Sequence, residues 1–166
     1  LEFTVPSRGM IGFRSQFLTD TKGSGVLNSL FHSYSPWFGS ISQRNSGVIV
    51  ADRQGKVTQY ASLAMVDRGE LFVNVGSEVY KGMVVGERNK TGDLDVNIVR
   101  EKKLTNMRSA TKDNTVVLRP PKIMSLDQCI EFIAEDELIE ITPVNLRIRK
   151  MELDVNKRIS QNKKNK

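Results

Sequence analysis

From Val48 onward the chain is a series of short apolar runs separated by glycine-bearing turns, and this alternation limits the fold more than any other feature. The runs are Val48 to Ala51, Val57 to Val66, Leu71 to Val75, Met83 to Glu87, Leu94 to Val99 and Thr115 to Leu118, and β-branched residues recur in them. Between them, Asp52-Arg53-Gln54-Gly55, Asp67-Arg68-Gly69-Glu70 and Lys90-Thr91-Gly92-Asp93 each offer a glycine for a tight reversal. The spacing predicts a small barrel or a strongly bent sheet. Pro120-Pro121 closes the series. Ser125 and Gln128 then form a capping-box pattern for a helix with apolar positions Leu126, Cys129, Ile130 and Ile133. Two last strands, Leu138 to Thr142 and Asn145 to Ile148, flank Pro143.

The texture ahead of this region differs. Leu1 to Val5 reads as a strand, and after Pro6 comes an amphipathic helix carrying Met10, Phe13, Arg14 and Phe17, which Ser7 is placed to cap. Gly23 supplies a left-handed residue at its end, and Val26 to Phe31 reads as a second strand. Pro36 to Ser42 is a linker. The chain has no initial methionine and starts inside a strand-like run, so it is expected to be a fragment of something longer.

Charge narrows the partners. The net charge is +6, and the eight basic and two acidic residues from Arg147 to Lys166 account for all of it, so the rest of the chain sums to zero. An anion-binding surface must therefore be local. The stretch from Arg100 to Asn114 is the best candidate, with five basic residues against two acidic ones and several hydroxyl and amide side chains. Its weak apolar periodicity predicts a long loop between strands. Arg100, Lys102, Lys103, Arg108 and Lys112 would neutralise phosphates, Thr105 adds a hydroxyl, Asn106 can address a base edge or a 2′-hydroxyl, and Arg108 can stack or bind bidentately. The competing reading is a solvated charged loop without a partner, although loops this long tend to be functional or disordered. Arg147, Arg149 and Lys150 alternate with Leu146 and Ile148, which predicts a terminal strand presenting cations on one face. The Lys- and Asn-rich end, residues 153–166, is expected to be a basic disordered tail.

Catalysis finds little support. Cys129 is the only cysteine and His32 the only histidine, which leaves no soft-ligand set for zinc and no disulfide. Cys129 sits on an apolar stripe and reads as a buried inert thiol, His32 as a strand-surface residue, and Trp37 as packing at a domain junction. Glu135, Asp136, Glu137 and Glu140 read as solvated carboxylates rather than metal ligands. No catalytic residue, bound cofactor or metal is expected in this chain, and no membrane-spanning run occurs, so a soluble cytoplasmic protein is expected.

The segment from Val5 to Gly25, which begins Pro6-Ser7-Arg8-Gly9-Met10-Ile11-Gly12-Phe13-Arg14, resembles the second half of the last ferredoxin-like domain of elongation factor G relatives. Pro6-Ser7-Arg8-Gly9 favours the BipA/TypA branch of translational GTPases. Asp67-Arg68-Gly69-Glu70-Leu71-Phe72, Glu78-Val79-Tyr80-Lys81-Gly82-Met83 and Lys102-Lys103-Leu104-Thr105-Asn106-Met107-Arg108 resemble that branch's own C-terminal domain. The resemblance runs from Leu1 to about Lys150.

It implies an α+β fold: residues 1–40 as half of a ferredoxin-like βαββαβ domain, and residues 41–152 as a mostly β, barrel-like domain with one helix. It also implies a ribosome-binding module tied to stress adaptation and large-subunit assembly, its basic loop reaching large-subunit rRNA and the acceptor end of A-site tRNA. GTP and magnesium would belong to a G domain absent here, since no phosphate-cradling Gly-x-x-x-x-Gly-Lys-Ser/Thr loop occurs. A protein-interaction or regulatory domain, docking on a ribosomal protein or on its own GTPase domain, is the alternative. In half a ferredoxin-like unit the two strands lack the strand between them, so the isolated chain is expected to dimerise through that region or to leave it poorly ordered.

Overall fold

The computed structural model describes residues 1–39, 41, 44–102 and 118–164, with the side chains of 162–164 left aside. The architecture is α+β with few helices and a dominant sheet. Val48–Ala51 (β1) stands one strand in from an edge, with all four residues buried. A continuous β-branched run suits this position, because a strand covered on both faces needs no polar alternation. Met83–Arg88 (β5) flanks β1 antiparallel and Leu94–Val96 (β6) flanks it parallel.

The far edge of β5 is shared. Gly69–Leu71 (β3) pairs with Arg88 to Gly86, while Leu146–Lys150 (β8) pairs with Met83 and Val84. Glu137–Ile141 (β7) completes this six-stranded sheet beyond β8, and Gly55–Lys56 (β2) with Glu78–Val79 (β4) forms a separate two-stranded ribbon. Between Ile49 and Val50 the register skips from Gly86 to Val84, a bulge that bends the sheet at its middle.

Alternation along β1 builds two cores. Ile49 and Ala51 join Val57, Met65, Val85 and Ile98 on one face. Val48 and Val50 join Val84, Cys129 and Ile148 on the other. Leu126–Phe132 (α3) covers this second face, and its expected capping box is formed in both directions: Ser125 Oγ accepts from Gln128 N at 3.3 Å and Gln128 Oε1 from Ser125 N at 2.9 Å.

The first face is covered by a helix where the apolar run predicts a strand. Within Val57 to Val66, residues Gln59–Leu63 form a helix, α2, whose N-cap Thr58 accepts from Ala61 N at 3.2 Å. Ala61 of this helix is buried in one core with Val57, which precedes the N-cap, and Met65, which follows the C-cap. The intervening Gln, Ala, Ser and Leu are not β-branched.

Phe13–Asp20 (α1) forms, after a tight helical turn at Ser7–Met10. Its N-cap is Gly12 with φ 77, and no side chain caps it, which corrects the expectation for Ser7. The helix end closes as expected, with Gly23 at φ 80 donating to Leu18 O. Leu1 to Val5 and Val26 to Phe31 carry no ladder, contrary to the sequence reading. A strand is a pairing, and no partner for either run exists among the described residues; Leu30 stands 94% exposed. Ser15 Oγ donates to Glu131 at 3.0 Å, tying α1 to α3.

The basic end also departs from expectation. Val155–Lys164 is a helix, α4, not a disordered tail. Asp154 accepts from Asn156 N and Lys157 N and pairs with Lys81 at 2.6 Å, and Arg158 reaches back to Asp95, Glu152 O and Leu153 O. A cap plus a docked guanidinium outweighs the polar composition. Among the described residues no helix is long and apolar enough to cross a membrane.

Candidate nucleic-acid interface

The cationic stretch leaves the fold at Arg100. Strand β6 runs on into Asn97 and buried Ile98, and then the chain rises past α2, where Thr58 Oγ1 donates to Arg100 O at 2.5 Å. The Arg100 guanidinium lies 5.7 Å from the Tyr60 ring centroid. Lys102 is exposed. Lys103, Thr105, Asn106, Arg108 and Lys112 lie outside the described residues. The chain returns at Leu118 to Pro120, against Val66, Gly69 and Leu71, and Lys122 N donates to Leu71 O at 2.8 Å. Departure is thus tied to the N-cap of α2, and return to β3.

Strand β8 separates the other three candidates. Period-two alternation puts Arg147 and Arg149 on one face, with Leu146, Ile148 and Lys150 on the other. Arg149 Nε pairs with Glu140 at 2.8 Å, and Tyr80 donates to the same carboxylate at 2.6 Å. Burial first, and then the Glu140 hydrogen bond, push the Tyr80 phenol well above its ordinary range. Arg147 is half-buried at the edge of a cleft of about 610 Å³ bordered by Phe72, Ile123, Val144 and Leu146.

Lys150 corrects the expectation of a surface cation. It is 1% exposed, and its ammonium meets Asp93 at 2.6 Å, Asp136 at 2.8 Å and Glu137 at 2.9 Å. Burial alone would lower the Lys150 pKa, but the hydrogen bonds to Asp136 and Asp93 and the attraction of Glu137 outweigh it and raise it. Glu137, read from sequence as solvated, is 3% exposed. Burial would raise its pKa, yet hydrogen bonds from Arg44 and the charge of Lys150 hold it below the usual carboxylate range. Arg44 forks onto both Glu137 oxygens at 2.8 and 3.1 Å, donates to Phe132 O at 3.0 Å and lies 4.3 Å from the Phe132 ring centroid. Asp93 also accepts from Val48 N at 3.1 Å. The network pins the approach to β1, the end of α3, β7, β8 and the turn before β6 to one another. It is structural, and its parity signal was present in the sequence: a lysine two residues after a core isoleucine on a strand points inward.

The remaining candidates fall as follows. Cys129 is buried as expected, and burial raises its thiol. His32 is exposed in a run that forms no strand. Trp37 does not pack at a junction: it is 76% exposed, with the Arg8 guanidinium 3.3 Å from its ring centroid. Arg44, Glu137 and Tyr60 were not anticipated; Arg44 and Glu137 matter through partners more than 80 residues away in the chain, which no local pattern displays.

Comparison with known proteins agrees along the whole chain. Residues 46–155 match the model of the TypA/BipA C-terminal domain, and residues 1–45 match that of the elongation factor G C-terminus. The large ribosomal subunit assembly factor BipA of Bacillus subtilis (strain 168) is 47% identical over 167 residues, covering 100% of this chain and 27% of that protein. The protein of the same name from Salmonella typhimurium is 46% identical over 98% of this chain and 27% of its own length. The one from Synechocystis is 45% identical over 91% of this chain and 25% of its own length. The chain therefore spans about a quarter of the length of these curated relatives.

Proposed function

The chain belongs to the TypA/BipA family, and from that premise we propose that it is a ribosome-contacting module of a translational GTPase, acting through RNA contacts and carrying no catalytic centre itself. Its partners are large-subunit rRNA and the acceptor end of A-site tRNA. Hydrolysis of GTP, with its magnesium, belongs to another part of the parent protein, which works in the cytoplasm in large-subunit assembly and stress adaptation. The relatives' name, large ribosomal subunit assembly factor, supports the ribosome as partner.

The observation that carries the reading is the anchoring of the basic stretch. Arg100 and Lys122, on either side of residues 103–117, are each hydrogen-bonded to the sheet domain, at Thr58 and Leu71. The described residues that flank this cation-rich sequence are thus fixed to the sheet domain, and phosphate backbone is the partner that suits its charge. Arg147 and Arg149 lie on a different strand and add a second, weaker set of cations, Arg149 being partly neutralised by Glu140. Lys150 takes no part. The test is substitution of Lys102, Lys103, Arg108 and Lys112 by glutamine in the full-length parent: weakened large-subunit binding supports the reading, and unchanged binding removes it.

A protein-docking role is favoured by one feature, the open cleft whose rim mixes apolar Phe72, Ile123, Val144 and Leu146 with charged Glu78, Lys122 and Arg147. Binding through it would resist salt, whereas RNA contacts weaken steeply. The chain in isolation, with Leu1 to Val5 and Val26 to Phe31 lacking ladder partners among the described residues, pairs with a second copy through those runs or leaves them poorly ordered; a monomer by light scattering with protected amides there would contradict this.

A further inference from the structure

Among the described aromatic residues of the sheet domain, Phe72, Tyr80 and Phe132 are partly buried and Tyr60 is exposed. It sits in the first turn of α2, between buried Val57 and buried Ala61, yet the residue is 40% exposed and joins neither core. Aromatic side chains are usually kept from water unless they meet a partner. Its neighbourhood is fixed rather than loose. Thr58 uses one hydroxyl twice, accepting from Ala61 N at 3.2 Å to start the helix and donating to Arg100 O at 2.5 Å to hold the departing chain. The Arg100 side chain, itself exposed, is thereby held with its guanidinium 5.7 Å from the Tyr60 centroid. That distance is within cation–π range but leaves part of the ring open.

We propose that Tyr60 and Arg100 form a stacking platform for one unpaired nucleotide of RNA, the base lying on the open part of the Tyr60 ring and Arg100 engaging the adjoining phosphate. The inference rests on the RNA reading above and assigns a residue to it that charge alone does not reveal. The pair combines what recognition of unpaired RNA needs: a π surface indifferent to base identity and a cation that is both phosphate ligand and stacking partner. Duplex RNA would not satisfy it, because its bases are stacked on one another and its wide groove offers backbone rather than base faces. Lys102, two residues on in the chain, is also exposed.

The experiment uses the full-length parent and a single-stranded RNA oligonucleotide carrying a fluorescent aminopurine, titrated alongside the same sequence annealed into a duplex. Tyr60→Leu is expected to weaken single-strand binding by about tenfold and to abolish quenching of the aminopurine, with the salt dependence unchanged, since no charge is lost. Tyr60→Phe should keep both, and Tyr60→Trp should quench more strongly and bind at least as tightly. A gain with tryptophan cannot arise from damage to the fold. Native affinity and quenching in Tyr60→Leu, weaker binding in Tyr60→Trp, or equal loss in Tyr60→Phe and Tyr60→Leu would each overturn the platform. If glutamine substitution of the loop cations weakens binding while Tyr60→Leu does not, the platform alone fails. If neither changes binding, the RNA reading fails with it.

Discussion

Glu137 stands directly opposite Lys150 in the β7–β8 ladder, and its buried carboxylate takes both the Lys150 ammonium at 2.9 Å and the Arg44 guanidinium fork. A cross-strand pair of opposite charge is thus enclosed by α3 and by the segment leading to β1. The position makes the sheet domain depend on charge balance in its interior.

Removing one member of this network should cost far more than removing any surface cation. Lys150→Met keeps the stem and deletes the ammonium, leaving Glu137, Asp93 and Asp136 with one cation fewer, and is expected to destabilise the fold by about 3 kcal/mol or more. Arg149→Ala, which breaks a partly exposed pair with Glu140, should cost under about 1 kcal/mol. Urea unfolding of both variants checks the contrast.

The same network sets the response to acid and to alkali. Glu137 titrates below its ordinary value of 4.5 in the folded state, so its contribution is present above pH 4.5 and is lost as pH falls through the depressed value. Lys150 titrates above its ordinary 10.5, so its contribution is complete below pH 10.5 and is lost as pH rises through the raised value. Asp95 acts in the opposite sense, because burial raises its carboxyl despite the lowering by Arg158. Stability is expected to level off once Asp95 has titrated and to decline from about pH 9 upward, because the raised Cys129 thiol (ordinary value 9.0) and then the raised Tyr80 phenol (ordinary value 10.0) ionise more readily in the unfolded chain. Glu137→Gln should show a shallower decline below pH 4.5 than the native chain in thermal unfolding.

Gly82 is required by the docking of the segment ahead of α4. Its φ is 84, and an added Cβ would lie 2.6 Å from Leu153 Cδ2 and 2.8 Å from Leu153 Cα, which is backbone and cannot swing aside. Gly82→Ala should cost about 1–3 kcal/mol. Hydrogen exchange should show the loss first as faster exchange in α4, before the central strands are affected.

Thr58 links helix and loop root through one hydroxyl. Thr58→Ala is expected to cost about 1 kcal/mol as a lost N-cap and to speed amide exchange at α2. Thr58→Ser, which keeps the hydroxyl, should restore most of it, as calorimetry of the two variants would show.

Much of the β-rich architecture could be read from local chemistry. The buried run Val48 to Ala51, the Ser125–Gln128 capping box and the final pair of strands follow from side-chain branching and hydrogen-bonding groups a few residues apart. The misses have a common cause in longer-range packing. Val57, Ala61 and Met65 look like one apolar run until a core facing them selects every fourth residue. Val26 to Phe31 has strand composition without a ladder, and α4 has the composition of a tail but a guanidinium that docks on Asp95. For the proposed interface, composition points to Arg100 and Lys102, both exposed, and also to Lys150, which strand parity turns inward. Tyr60 became visible only when Arg100 was seen beside it.

The most direct measurement of the RNA account is the salt dependence of large-subunit binding by the full-length parent, native and with Lys102, Lys103, Arg108 and Lys112 changed to glutamine. Each lost phosphate contact should make the log–log slope shallower by about 0.7 to 0.9, with affinity falling most at low salt. An unaltered slope together with an unaltered affinity would contradict it.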